Sequence, residues 1–104
     1  MKQGAVMVGG KCVTTVIDQI VSANLLEVEC GSTGLMGGDS GHGGRTYIRI
    51  EDVGGTDIKV TSLPIFRNTR GNGGVVLELG GDSELLTIIE AFRYIADELE
   101  KAAN

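Results

Sequence analysis

Tryptophan is missing from this chain, and phenylalanine and tyrosine together supply only 4% of its residues. A core built here rests on Val, Ile and Leu, so Phe66, Phe92, Tyr47 and Tyr94 each stand out. Histidine occurs once, at His42, and cysteine twice, at Cys12 and Cys30, a set that offers no recognisable zinc spacing. No metal site is expected. Cys12 and Cys30 could pair across neighbouring strands, but with no secretory signal ahead of them they are expected as reduced thiols. The start MKQGAVMVGG lacks the apolar segment of such a signal, and no apolar run approaches the ~18 residues of a membrane span. Positive charge is also scarce, with a net charge of −5 and a pI near 4.7. That balance excludes a DNA or RNA duplex and an anionic membrane as partners, because both require a basic face. At 104 residues the chain is expected to form one domain over 1–104, with a modest core that oligomerisation would help to stabilise.

What the chain has in abundance is glycine, concentrated from Gly31 to Thr46 (GSTGLMGGDSGHGGRT), where seven of the first fourteen residues are glycine. Glycine costs conformational entropy on folding and is used where a turn needs it or a ligand comes close. Successive backbone N–H groups in such a stretch form concave nests suited to anions. Arg45 adds a planar fork that matches phosphate, and Thr46 a hydroxyl. The stretch reads as a binding loop.

Around it the periodicities indicate strands and one helix. Met1–Gly10 reads as an arm or short edge strand, and Lys11–Ile17 with Ile20–Val21 as a β-branched strand. The rival reading of 11–23 as a helix is weakened by Val13, Thr14, Thr15 and Val16 in series. Leu25–Cys30 alternates as a half-buried strand hairpinned to it across Ser22–Asn24. Thr46–Glu51 alternates most clearly, and Asp52–Thr56 has the turn chemistry to hairpin it onto Asp57–Leu63. Pro64 ends that strand, a basic connection carrying Phe66, Arg67 and Arg70 follows, and Val75–Leu79 is the last strand. From Ser83 onward there is neither Gly nor Pro. Asp82 or Ser83 is positioned to cap a helix whose Leu85, Ile88, Ile89, Phe92, Ile95, Ala96 and Leu99 form one broad apolar face, with Phe92 expected in the core. The expected fold class is α+β: a small antiparallel sheet of about five strands with one long C-terminal helix.

Several chemistries compete for the glycine loop. GDSG at Gly38–Gly41 resembles the nucleophile motif of trypsin-like proteases, but the only histidine lies two residues after Ser40 in the same loop. A Walker or Rossmann phosphate loop would need GK[ST] and a following helix, whereas this loop leads into a strand. The plainest alternative is a surface excursion with no ligand.

The run GSTGLMGGDSGHGGRTYIRIED, the short strand IKV and a terminal helix carrying FRYIAD resemble the Thoeris anti-defence sponge proteins, small phage proteins that sequester nucleotide immune signals. The resemblance extends roughly over residues 25–98, and GGDSGHGGRT with the Arg93/Asp97 pair is its most specific part. It implies a small antiparallel sheet whose C-terminal helix mediates dimers, in some members assembled as three dimers into a hexamer. It also implies binding without catalysis and without a cofactor, in the cytoplasm of the infected bacterial host. By position in the motif, Phe66, Arg93 and Asp97, with Asn68 or Asn72, would match the pocket for glycocyclic ADP-ribose signals at the dimer interface. Gly43, Gly44, Arg45 and Thr46 would match a second site for cyclic di- or trinucleotides. Plainer readings stand beside these. Arg93 and Asp97 are spaced as an ordinary helical ion pair, Phe66 could plug a sheet edge, and His42 could simply be solvated. A phage assembly protein whose loop touches a neighbouring subunit, and a small hydrolase or lyase of the same nucleotides, are the readings from other functional classes.

Overall fold

Alternating and β-branched residues fill most of the chain up to Leu79, and they form strands; the computed structural model describes residues 2–21, 25–39, 42–63 and 73–104. In order these are β1 (Lys2–Val8), β2 (Lys11–Val21), β3 (Leu25–Ser32), β4 (Thr46–Gly54), β5 (Ile58–Leu63), β6 (Gly74–Leu79) and the helix α1 (Asp82–Ala103). The first four form one antiparallel sheet in sequence order, and β5 and β6 form a separate two-stranded ribbon. The fold is α+β. The N-terminal residues are thus a full edge strand.

Two expectations about pairing and packing need correction. β4 does not hairpin onto β5: its partner is β3, and β5 pairs with β6 in the register Val60↔Leu77. Turn chemistry at 52–56 changes the chain direction, but it does not choose which strand lies alongside. The helix also buries a narrower face than its apolar stripe suggested. Ile88, Ala91 and Ile95 are buried, whereas Leu85 is 57% and Phe92 51% exposed. The reason is local: Ala91 is fully buried at the centre of the inner face, and the 3.6-residue period turns Phe92, the next residue, away from it.

One face of the sheet meets α1 through Ile20, Leu26, Val28 and Cys30, with Val16, Ile50, Tyr94 and Leu99 around them. The pairings Ile20↔Leu26, Asp18↔Val28 and Val16↔Cys30 set these side chains on a common face, as the two-residue period of a strand requires. On the other face the sheet curls, so that its edge strands β1 and β4 approach one another. Val13 and Thr15 become fully buried inside the curl. A polar network fills the same side. Glu29 accepts from the Thr15 hydroxyl at 2.6 Å and from Arg49 Nε at 3.1 Å, while Arg49 also donates to Glu27 at 3.2 Å and Glu51 at 2.8 Å.

The helix begins differently from expectation. Neither Asp82 nor Ser83 caps it; Gly81 occupies the N-cap position with φ 119°, and among the described residues no side chain makes a capping hydrogen bond there. Glu84 turns back instead and accepts the Asp57 N–H at 3.2 Å, tying the base of the ribbon to the helix. That anchoring matters because the ribbon is otherwise exposed along most of its length, Val60 by 60% and Val75 by 58%. The molecule is one sheet layer and one helix layer thick, 19 Å in its short dimension. Its radius of gyration of 15.0 Å exceeds the roughly 13 Å of a compact chain this long, as an outlying ribbon requires. Among the described residues no helix is long and apolar enough to cross a membrane.

Candidate functional site

The glycine run is the connection between β3 and β4, and its stem is a hairpin closed by side chains as well as backbone. Ser32 pairs with Thr46 in register, and their hydroxyls lie 3.1 Å apart. Thr33 N–H donates to the Arg45 carbonyl at 3.0 Å, and Arg45 N–H donates to the Thr33 hydroxyl at 2.9 Å. Ser32 Oγ then accepts the Gly34 N–H at 3.0 Å, turning the chain outward. The hydroxyl-bearing residues at the loop's start thus fix where it leaves the sheet.

Beyond the stem the loop folds back on itself. His42 N–H donates to the Asp39 carbonyl at 2.7 Å, and the backbones of Gly38 and Gly43 come into direct contact. Gly43 has φ 75°, and a Cβ there would lie 2.8 Å from the Gly38 nitrogen, so the position requires glycine on both counts. Arg45 Nη1 donates to the Gly43 and Gly44 carbonyls at 2.9 and 3.3 Å. Lys11, from the start of β2, donates to the same Gly43 carbonyl at 3.1 Å.

This arrangement leaves a cavity of about 940 Å³ between the loop and the C-terminal turn of α1. Its polar wall includes Asp39, His42, Gly44, Arg45 and Thr46, and its helix wall is Leu99 and Ala103. Leu35 and Met36 contribute apolar surface from the loop side, 87% and 54% exposed. The size is at the upper end of the ~300–1,000 Å³ that small-molecule sites occupy. Electrostatics orient a guest here: the C-terminal end of a helix disfavours anions, whereas Arg45 favours them. An anionic group would therefore be favoured beside Arg45 and an apolar group beside Leu99.

Of the four loop residues expected from the sequence, Gly44, Arg45 and Thr46 reach this wall and Gly43 stands immediately behind it. The other expected set is not brought together in the same way. Arg93 and Asp97 lie on the exposed side of α1 next to Phe92, and among the described residues neither enters an ion pair. Phe66, Asn68 and Asn72 lie outside the described residues, as does Ser40 of the GDSG motif.

Sequence reasoning did not single out Lys11 or the helix wall. Nothing in the pattern of β2 reports that its first residue will meet a loop thirty-two positions away. The register Val8↔Lys11 supplies the missing link, because it places the β1–β2 turn beside the loop stem.

Two titratable groups on the helix side of the sheet are shifted chiefly by burial. Cys30 is fully buried, and burial, then Glu98 and Glu29, push its thiol up, so it is a poor nucleophile at neutral pH. Burial, then Asp18 and Glu98, push the Tyr94 phenol to about 12; its oxygen finds no hydrogen-bond partner among the described residues. Cys12 and Cys30 are both free thiols, and no group of metal-ligating side chains assembles among the described residues. In comparison with known proteins, no protein-family model, no curated protein and no solved structure matches the chain.

Proposed function

We propose that the chain is a phage anti-defence sponge, a protein that binds cyclic nucleotide immune signals in the infected bacterial cell and holds them without cleaving them. One observation carries the reading. Of the four residues that the resemblance assigns to cyclic di- or trinucleotides, Gly44, Arg45 and Thr46 are on the wall of the 940 Å³ cavity, with Gly43 behind them bonded through its carbonyl to the arginine. Polar loop atoms on one side and Leu99 with Ala103 on the other suit a ligand that is anionic along its rim and aromatic in its bases. The acidic background makes the local cations at Lys11 and Arg45 the attractive region for such a ligand.

Glycocyclic ADP-ribose is assigned to a second site on the exposed side of α1, with Arg93 and Asp97 as its contacts from the helix. The edge beside them supports homo-oligomerisation: Leu85, Leu86 and Phe92 are each more than half exposed, a run of apolar surface suited to a second copy. A dimer, or a hexamer made of dimers, is the assembly proposed.

Calorimetric titration with glycocyclic ADP-ribose and with cyclic tri-adenylate tests both sites, followed by heating and chromatography of the released ligand. Intact recovery is expected, and a converted product would make the protein an enzyme. Arg93→Ala should abolish binding of the first ligand with unchanged oligomer size, while Arg45→Ala should weaken only the second. Loss of both ligands in either variant would refute the assignment of two sites. If neither ligand binds, the exposed helix edge becomes the chief functional surface and the assembly-protein reading takes precedence.

A further inference from the structure

We propose that Lys11 is a ligand-binding residue of the glycine-loop cavity, its ammonium acting with the Arg45 guanidinium as one two-pronged seat for a phosphate group. The inference rests on the reading of the loop as an anion site, and it adds a residue from a different part of the chain. Lys11 Nζ and Arg45 Nη1 both donate to the Gly43 carbonyl, at 3.1 and 2.9 Å. Two cations sharing one neutral acceptor are held close together, where they repel one another. No carboxylate offsets this at Lys11, which enters no ion pair among the described residues. Convergent cations of this kind, in a chain of net charge −5, form a seat for an anion that bridges them.

The β1–β2 hairpin is shaped to deliver the pair. Val8↔Lys11 closes its turn, and the Arg45 side chain lies directly across Gly9, where a Cβ would stand 2.5 Å from Nε and 3.2 Å from Cδ. The Lys11 ammonium also comes within 4.0 Å of Met36 Sδ, which is on the cavity wall. A phosphate oxygen is a stronger acceptor for these donors than a peptide carbonyl, so an anion entering between Met36 and Gly44 draws both cations from Gly43. The lysine stem has the rotatable bonds for that swing, and the turn supplies the fixed base.

Calorimetric titration of the whole chain with cyclic tri-adenylate, at low and at moderate salt, tests the assignment. Lys11→Met is expected to weaken binding about tenfold or more, as loss of a charge-assisted contact does, with the deficit narrowing as salt rises. Lys11→Gln keeps a donor for the Gly43 carbonyl and should lose affinity similarly, whereas Lys11→Arg should stay within about threefold of the parent. Lys59→Met, on the exposed β5, serves as the charge control and should bind normally. Melting curves unchanged in the Lys11 variants would exclude a folding effect. Parent-like affinity in Lys11→Gln would make the lysine a mere prop for Gly43 and overturn the proposal, as would failure of arginine to substitute. Silence of the parent protein itself would overturn the loop site and this assignment with it, so the two failures are distinguishable.

Discussion

Gly31→Val should lower the thermal midpoint by more than about 10 °C, reflecting a loss of roughly 3 kcal/mol or more of stability. Gly31 lies near the end of β3, against the backbone of β2. A Cβ there would collide with the Thr14 carbonyl oxygen and stand 2.9 Å from Thr15 Cα and 3.0 Å from Thr14 C. All of these are backbone atoms, so no side chain can swing aside and the two central strands must part. The same displacement would reach the loop stem, one residue away at Ser32. Even Gly31→Ala should be costly, because the first carbon is the offending one. Gly54→Ala is the matched control, since its Cβ would meet only the Leu25 side chain at 3.5 and 3.7 Å, an ordinary contact. Circular dichroism melts of the three variants check this, and equal midpoints for Gly31→Ala and Gly54→Ala would refute the close-approach account.

The second large effect is expected at Arg49. Its guanidinium bonds to three carboxylates, and Glu29 among them is only 8% exposed. Arg49→Met leaves those carboxylates facing one another with one of them buried, a loss of about 2–3 kcal/mol at neutral pH once the partial exposure of the arginine is allowed for. Acid should reveal the source. The Thr15 hydroxyl lowers the Glu29 carboxyl most, burial opposes it, and Arg49 lowers it further, for a net value below its ordinary 4.5. A carboxyl lowered in the folded state contributes stability that is complete above its unfolded value and is lost as pH falls through its folded value. Thr15→Val removes the largest contribution at nearly constant shape. It should therefore be less stable than the parent at pH 7, and the difference should shrink below about pH 4.5 as Glu29 protonates in both. Urea titrations at pH 7 and pH 3 measure it, and a gap that stays constant would assign the effect to packing.

The elements most legible in the sequence were those whose side chains obey a period. Leu26, Val28 and Cys30 alternate and are buried together, and Ile88 with Ile95 marks the inner face of α1. Where two surfaces meet, period alone was insufficient. It grouped Phe92 with Ile88 and Ile95, but how wide a face the sheet covers depends on where α1 crosses it. Glu29 alternates with core residues and so belongs to the outward side, yet the curl of the sheet closes that side over it. The pairing of β5 with β6 needs knowledge of which strands come close in space, which turn residues do not encode. At the site, the glycine run and Arg45 were legible because their composition is unusual, whereas Lys11 and Leu99 are ordinary residues made relevant by register and helix position.

The detached β5–β6 ribbon carries a consequence for motion. Two-stranded ribbons are marginal by themselves in water, and this one is tied to the rest chiefly at its base, through Asp57, Glu84 and the packing of Leu79. It forms a separate opening unit: its amides should exchange with solvent deuterium at a free energy well below that of global unfolding, while those of β2 and β3 exchange only when the whole domain opens. Mass-spectrometric exchange would then register any partner that settles on the apolar face of the ribbon as slowed labelling of β5 and β6, with β2 and β3 scarcely changed.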